Sequence, residues 1–529
     1  MKLYKYSLLL LMPLTMMVSC KKADFVAANV SPSTLASVDP GAQFLYAARS
    51  LPNDFEAYYD FLRDINAWMQ YSTGATGNSA GFTSPGSHFD YRYGNFYGNV
   101  GTPLSDIPYL VSKMASADQA NRANEVAIAS IYKAYYAFYT SDINGSIPYS
   151  QAFQARYGGT LTPVYDPQAN LFDTLDIQIK AAVATLESNL PNQVLYGTYD
   201  PFFGGVASNW AKAGNALRLK IAMRLMKRNP TKLASIATEV LADANQMASI
   251  SDSWVLLVGP TFADASGNYN PTGFLAAQPV VDFMNTTGDP RLGIFYRKNS
   301  DGIYKGSPTS PDICALPANV ALYTSSDTPF SQLQHRLFTA NFDENDGNGA
   351  GTGVGFFPVI TYAEYCFIRA ELGARGITTD AAATWYNNGV TASIQFYDAR
   401  ATAAKIAGYT TVDPTAITTY LAKPGVAFDA SKAVEQIVCQ AYLDFYRQPS
   451  EAWAWWKRTG FPNTTSVLAW EPLTANAAVL PLPRRASLTT FSTADANYAN
   501  QKAAYDAMAT DPGFGTPADA FGRVWWDQQ

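Results

Sequence analysis

The stretch TYAEYCFIRAELGARG, residues 361–376, decides the reading of the chain. Thr361 can cap a helix whose third residue, Glu364, completes a capping-box pattern, and Tyr365, Ile368 and Leu372 then recur at three- and four-residue steps. Gly376 ends the pattern, because a residue without Cβ reverses the chain there at little cost. A second helix is predicted from about 381 to 399 after a short turn, which makes the pair an αα-hairpin.

The same signature recurs outward from this pair. Ile128, Ile131, Tyr135 and Phe138 form one face of a helix over 125–140, and Leu171, Leu175, Ile179, Ala182 and Leu186 form another over 171–189. Ser208 reads as the cap of a helix from 209 to 228, with Pro230 stopping it. A further pair is predicted over 432–446 and 450–458. Helix pairs without a strict sequence period indicate a mostly α fold, a tetratricopeptide-like scaffold interrupted by long irregular loops at 72–101, 254–310 and 341–358.

The N-terminus predicts export. Lys2 and Lys5 precede an apolar run from Leu8 to Val18, and Ser19 stands before Cys20. A charged start, a short apolar core and a small residue before cysteine are the marks of a lipoprotein leader, residues 1–19. Cys20 would carry the acyl chains, palmitate among them, and two or three chains hold a protein on a bilayer where one does not. Residues 20–40 then read as a lipidated tether and 41–529 as a single domain.

Composition narrows the function. The chain has 529 residues, 48% hydrophobic and 15% charged, enough apolar material for a large core. A net charge of −6 offers no basic surface for nucleic acid. Besides Cys20 only Cys314, Cys366 and Cys439 occur, with just His88 and His335, so neither a disulfide framework nor a metal centre is expected, and no cofactor is implied. NFDENDGNG at 341–349 is oxygen-rich but lacks the glycine and glutamate spacing of a calcium loop, and reads as a polar turn. There is no GxxxxGK or HExxH, and no carboxylate pair stands out for glycoside hydrolysis, so a binding protein is preferred to an enzyme. An adhesive surface protein is a third class.

Aromatic residues make up 14% of the chain, which suggests that some face a ligand. FTSPGSHFDYRYGNFY at 82–97 alternates Phe89, Tyr91, Tyr93, Phe96 and Tyr97 with His88, Asp90, Arg92 and Asn95. Flat rings stack on sugar faces while polar neighbours pair with hydroxyls; the alternative is a loop packed on its own tyrosines. Trp68 reads as core, and Tyr71 can point either way. Tyr269, Phe274, Tyr296 and Tyr304 supply a second group of candidates.

These pieces in this order resemble the SusD/RagB family of outer-membrane nutrient-binding lipoproteins, in its SusD-like branch. The matching stretches are DINGSIPYSQAF (142–153), TPVYDPQANLFD (162–173), WAKAGNALRLKIAMRL (210–225), DPRLGIF (289–295), EYCFIRAELGARG (364–376), EAWAWWKRTGFP (451–462) and LPRRAS (482–487). The resemblance implies a helical scaffold with elaborate loops, anchored at the outer membrane and facing the cell exterior. It also implies a SusC-like TonB-dependent transporter as partner and an oligosaccharide or a peptide as the nutrient. Within these motifs Arg218, Arg224 and Arg369 read as partners for carboxylates or as side chains snorkelling over neighbours, rather than as ligand contacts, and Arg484 and Arg485 as pins for a loop.

Overall fold

A computed structural model describes residues 38–53, 55–85, 89–259, 271–325, 327, 329–338 and 352–528. The leader, Cys20 and the 341–349 stretch lie outside the described residues. The principal helices are α1 (Pro40–Arg49), α2 (Gly101–Ser112), α3 (Ala123–Asn144), α4 (Gln168–Glu187), α5 (Ala207–Met223), α6 (Pro230–Ala242), α7 (Gln278–Thr287), α8 (Tyr362–Ala374), α9 (Ala382–Ala403), α10 (Ala433–Asp444) and α11 (Pro449–Thr459). A π-helical segment, Glu56–Ile65, follows α1.

Helices adjacent in sequence pack as pairs: α3 on α4, α4 on α5, α5 on α6, and α8 on α9 with α10 across α8. This is the mostly α, helix-pair architecture expected. Close crossing depends on glycine at two points. A Cβ on Gly214 of α5 would lie 2.6 Å from Val183 of α4 and 3.2 Å from Ile131 of α3, and one on Gly389 of α9 would lie 2.7 Å from the Phe367 ring of α8. Larger residues there would push the pairs apart.

Local signals mostly hold. The Thr361 hydroxyl accepts the Glu364 N–H at 2.9 Å, as a cap should. The Glu364 carboxylate, however, does not close the box; it turns inward to the Lys220 ammonium of α5 at 3.0 Å. Ser208 likewise makes no cap: Val206 occupies that position and α5 ends at Met223. Pro230 opens α6 instead of closing α5, with Asn229 Oδ1 accepting the Lys232 N–H at 3.1 Å. Proline suits the first helical position because its missing N–H has no partner to lose.

The segments predicted as irregular are partly strands that pair with one another. β1 (Ser72–Gly74) runs antiparallel to β3 (Phe274–Ala276), with Ser72 opposite Ala276. β2 (Trp254–Val258) runs antiparallel to β4 (Gly355–Ile360), with Trp254 opposite Ile360. Each pairing satisfies backbone groups between segments far apart in sequence, so no local periodicity announces it.

The family motifs fill the interior with paired charge. Arg224 is fully buried, bonding Asp142 at 2.8 Å and Glu451 at 2.9 Å, and Lys220 reaches Glu451 at 3.2 Å. Arg218 holds Asp176 at 2.7 Å, and Arg484 holds Asp527 at 2.6 Å. Arg369 bonds both carboxylate oxygens of Asp380. Arg485 donates to the carbonyls of Ala486, Phe514, Thr516 and Pro517, which pins the C-terminal loop. Removing one member of such a buried pair strands the other charge, at a cost of about 3–5 kcal/mol.

Candidate ligand-binding surface

The segment 89–97 is anchored residue by residue before it offers anything to solvent. The Phe89 ring sits 5.2 Å from Trp68 and 6.0 Å from Trp453. Asp90 adopts φ +88°, a left-handed conformation uncommon for a residue with a side chain. Asp60 holds it there: its Oδ1 accepts the Asp90 N–H at 3.2 Å and its Oδ2 accepts the Tyr91 N–H at 3.0 Å. Asn144 Nδ2 donates to Asp90 Oδ1 at 3.0 Å. Arg92 points inward, donating to the Tyr139 carbonyl at 3.1 Å and Ser450 Oγ at 2.9 Å while lying 3.9 Å above the Tyr139 ring. Tyr93 and Tyr97 pack together at 4.6 Å, and the Tyr97 hydroxyl donates to the Pro148 carbonyl at 2.6 Å.

What reaches the surface is the Tyr91 ring. It stacks on Phe55 at 5.1 Å and 23° and lies 5.8 Å from Tyr59. Phe55 and Tyr59 are themselves parallel, 6.2 Å apart at 11°. Phe55 is 50% exposed, and the Arg63 guanidinium lies 5.6 Å from the centre of the Tyr59 ring. The result is a partly exposed aromatic patch with a guanidinium beside it. Such a surface can stack on the apolar face of a pyranose while Arg63 donates to a hydroxyl.

Beneath the patch lie Glu56, Asp60 and Asp90, all facing Arg92. Burial pushes the Glu56 carboxyl up, despite hydrogen bonds from the Tyr136 and Tyr139 hydroxyls. Burial, reinforced by the Glu56 charge, pushes Asp60 well above the carboxylate range. Asp90 is raised to about 7, again mainly by burial, with Asn144 and Arg92 opposing it. One guanidinium serves these neighbouring buried carboxyls, so the cluster retains a proton near neutral pH.

The other candidates from sequence lie elsewhere. Tyr71 is fully buried and stacked on Tyr442 at 4.3 Å and 8°. Trp68 and Tyr296 are fully buried, Phe274 is buried in β3, and Tyr304 is half-buried. Arg92 is 1% exposed. Burial assigns these side chains to packing. His88 and Tyr269 lie outside the described residues. Phe55 and Tyr59 were not singled out from sequence, although FEAYYDF over 55–61 places aromatics at i and i+4 on one helical face. A separate cleft of about 450 Å³ is lined by Gln278, Asp282, Phe283, Trp470 and Glu471. Its Glu471 already accepts the Ser310 N–H at 3.0 Å, which fixes a loop. Among the described residues no cluster of His, Cys, Asp and Glu could hold a metal ion, and Cys314, Cys366 and Cys439 are free and buried.

Comparison with known proteins defines the class. Residues 35–487 match the SusD-like family described as starch-binding and associating with the outer membrane, and the chain belongs to that family. No curated protein matches the chain by sequence. Among solved structures, a chitin-binding protein superposes with a TM-score of 0.72 at 22% identity, covering 93% of this chain and 100% of its own. A SusD homologue from Bacteroides fragilis gives a TM-score of 0.68 at 20% identity, covering 92% and 100% of the two chains. A chitin-binding SusD homologue from Flavobacterium johnsoniae gives 0.64 at 19% identity, covering 93% and 98%. Among the described residues no helix is long and apolar enough to cross a membrane.

Proposed function

We propose that the protein captures a glycan at the cell exterior, held to the outer membrane by an acylated Cys20, and passes it to a SusC-type TonB-dependent transporter. The observation that carries this reading is the partly exposed stack of Phe55, Tyr59 and Tyr91 beside Arg63. The family's starch-binding description and the chitin-binding names of two structural neighbours support a sugar ligand over a peptide. Binding is non-covalent and no bond is cleaved. The family resemblance implies that the lipoprotein sits as a lid over the transporter, and mass spectrometry of the native N-terminus together with co-purification of a transporter tests the anchor and the partner.

The site is tested by titrating maltooligosaccharides, chitooligosaccharides and a peptide library into wild type and a Phe55→Ala/Tyr91→Ala variant. A loss of affinity of about tenfold or more for one sugar class, with an unchanged melting temperature, supports the reading. Equal affinity in both proteins removes the patch as the site, and hydrolysed oligosaccharide in the mixture replaces capture with catalysis.

A further inference from the structure

A groove of about 480 Å³ opens elsewhere, between α2, α3, Gln178 of α4 and the 149–157 loop. Its wall includes Ser105, Tyr109, Lys133, Tyr149, Phe153 and Tyr157. Lys133 projects from α3, and its ammonium lies 5.0 Å from the centre of the Tyr149 ring and 5.2 Å from that of Phe153. Among the described residues no carboxylate pairs with it and no hydrogen bond is made to it. The buried cations discussed above each have a carboxylate or carbonyl partner; the half-buried Lys133 has only two ring faces among the described residues.

The surroundings carry further positive charge. Tyr109 and Tyr157 stack at 3.9 Å and 24° in the wall. Lys113 lies 4.9 Å from the Tyr109 ring and Arg156 lies 5.4 Å from the Tyr157 ring. Asp106 pairs with Arg156 through Oδ2, while its Oδ1 has no partner among the described residues, and Asp166 Oδ2 accepts the backbone N–H groups of Tyr149 at 2.8 Å and Ser150 at 2.9 Å. The Tyr149 hydroxyl donates to Gln178 at 2.6 Å. The hydroxyls of Ser105 and Tyr157 have no partner among the described residues. The groove wall is concave, cation-rich and partly apolar, and Lys133 in it has no anionic partner among the described residues.

We propose that this groove is a second binding site, taking the carboxylate or sulfate of an acidic sugar against the Lys133 ammonium. The oxyanion part stands on the groove alone; the sugar part rests on the glycan-binding reading. Binding would supply the counter-charge that the fold withholds. Burial pushes Lys133 down to about 8, so an arriving anion draws the proton back on. Affinity therefore holds below pH 8 and falls above it as the free ammonium is lost. Burial pushes the Tyr149 phenol up, so it stays neutral across this range.

The test is calorimetric titration of the purified full-length protein with glucuronate, glucose 6-sulfate and glucose, at pH 7 and pH 9.5. Expected is binding of at least one of the acids without glucose. Loss of about tenfold or more is expected in Lys133→Met, and retention at pH 9.5 only in Lys133→Arg, whose guanidinium cannot deprotonate. Binding of glucuronate alone identifies a carboxylate site, and of the sulfate alone a sulfate-ester site. Glucose binding as well as the acids do, no heat with either acid, or wild-type affinity in Lys133→Met overturns the proposal. Lys133→Arg keeps the charge and the ring contacts, so an unfolded Lys133→Met does not spare it. Loss of maltooligosaccharide binding at Tyr91 with acid binding intact would leave this site standing apart from the other.

Discussion

Two aromatic clusters of similar chemistry have opposite fates. In the interior, Phe295 stacks on Tyr446 at 4.1 Å and 4°, and Tyr71 on Tyr442 at 4.3 Å and 8°. Every phenol there is answered by the backbone: Tyr446 donates to Phe295 O at 2.8 Å, Tyr397 to Asp444 O at 2.6 Å, Tyr296 to Tyr71 O at 3.0 Å and Tyr442 to Met69 O at 2.5 Å. These tyrosines are bolts, each tying together segments distant in sequence. At the surface, Phe55, Tyr59 and Tyr91 stack more loosely, at 5.1–6.2 Å, and Phe55 remains half exposed while the rings cover little core. An aromatic-rich composition therefore does not by itself mean a ligand. What separates the clusters is how completely the surrounding chain covers the rings.

This contrast can be broken in order of severity. Arg224→Leu, in the buried charge network that frames the interior cluster, should cost about 3–5 kcal/mol in urea denaturation, because Asp142 and Glu451 lose a shared counter-charge. A loss below about 1 kcal/mol would show that the network is not rigid. Tyr71→Phe keeps the ring stack but leaves the Tyr442 carbonyl without its phenol, and should cost about 1–3 kcal/mol with no change in ligand affinity. If affinity falls instead, Tyr71 belongs to the binding surface and the division between clusters is wrong.

The third test concerns the support beneath Tyr91. Asp90 sits at about 7 when folded and near 3.8 when unfolded, so the folded state binds its proton more tightly. Its stabilising contribution is full below about pH 4 and is lost as pH rises toward 7. In Asp90→Asn the decline of melting temperature between pH 4.5 and 7.5 should be shallower than in wild type, since asparagine also tolerates the left-handed backbone. Superimposable slopes would remove Asp90 as the titrating group. The smallest effect on stability is expected at the patch. Tyr91→Ala should change it by about 1 kcal/mol or less while lowering glycan affinity, which scanning calorimetry and titration together would establish.

Legibility followed the range of the interaction. The helix faces over 125–140 and 171–189, the Thr361 cap and the hairpin after Gly376 were readable, because they depend on residues a turn apart. The carboxylate pairing of Arg218, Arg224 and Arg369, and the loop-pinning of Arg485, were anticipated from the motifs. Pro230 was misread because proline is compatible with either boundary of a helix, and Asn229 settled the matter. The 82–97 stretch alternates aromatic and polar residues as a binding loop would, yet Arg92 turns inward to Tyr139 and Ser450, which are distant in sequence.

Sequence by itself determined the helical scaffold, the membership of the SusD-like family and the excess of rings, since each rests on local spacing or on motif order. Tertiary structure alone decided which rings stay outside. It brought Phe55 beside Tyr91, joined β1 to β3 and β2 to β4, and left Lys133 in a groove without a carboxylate. The physical reason is that burial and charge pairing are properties of neighbours in space, and those neighbours come from chain segments that no local pattern relates.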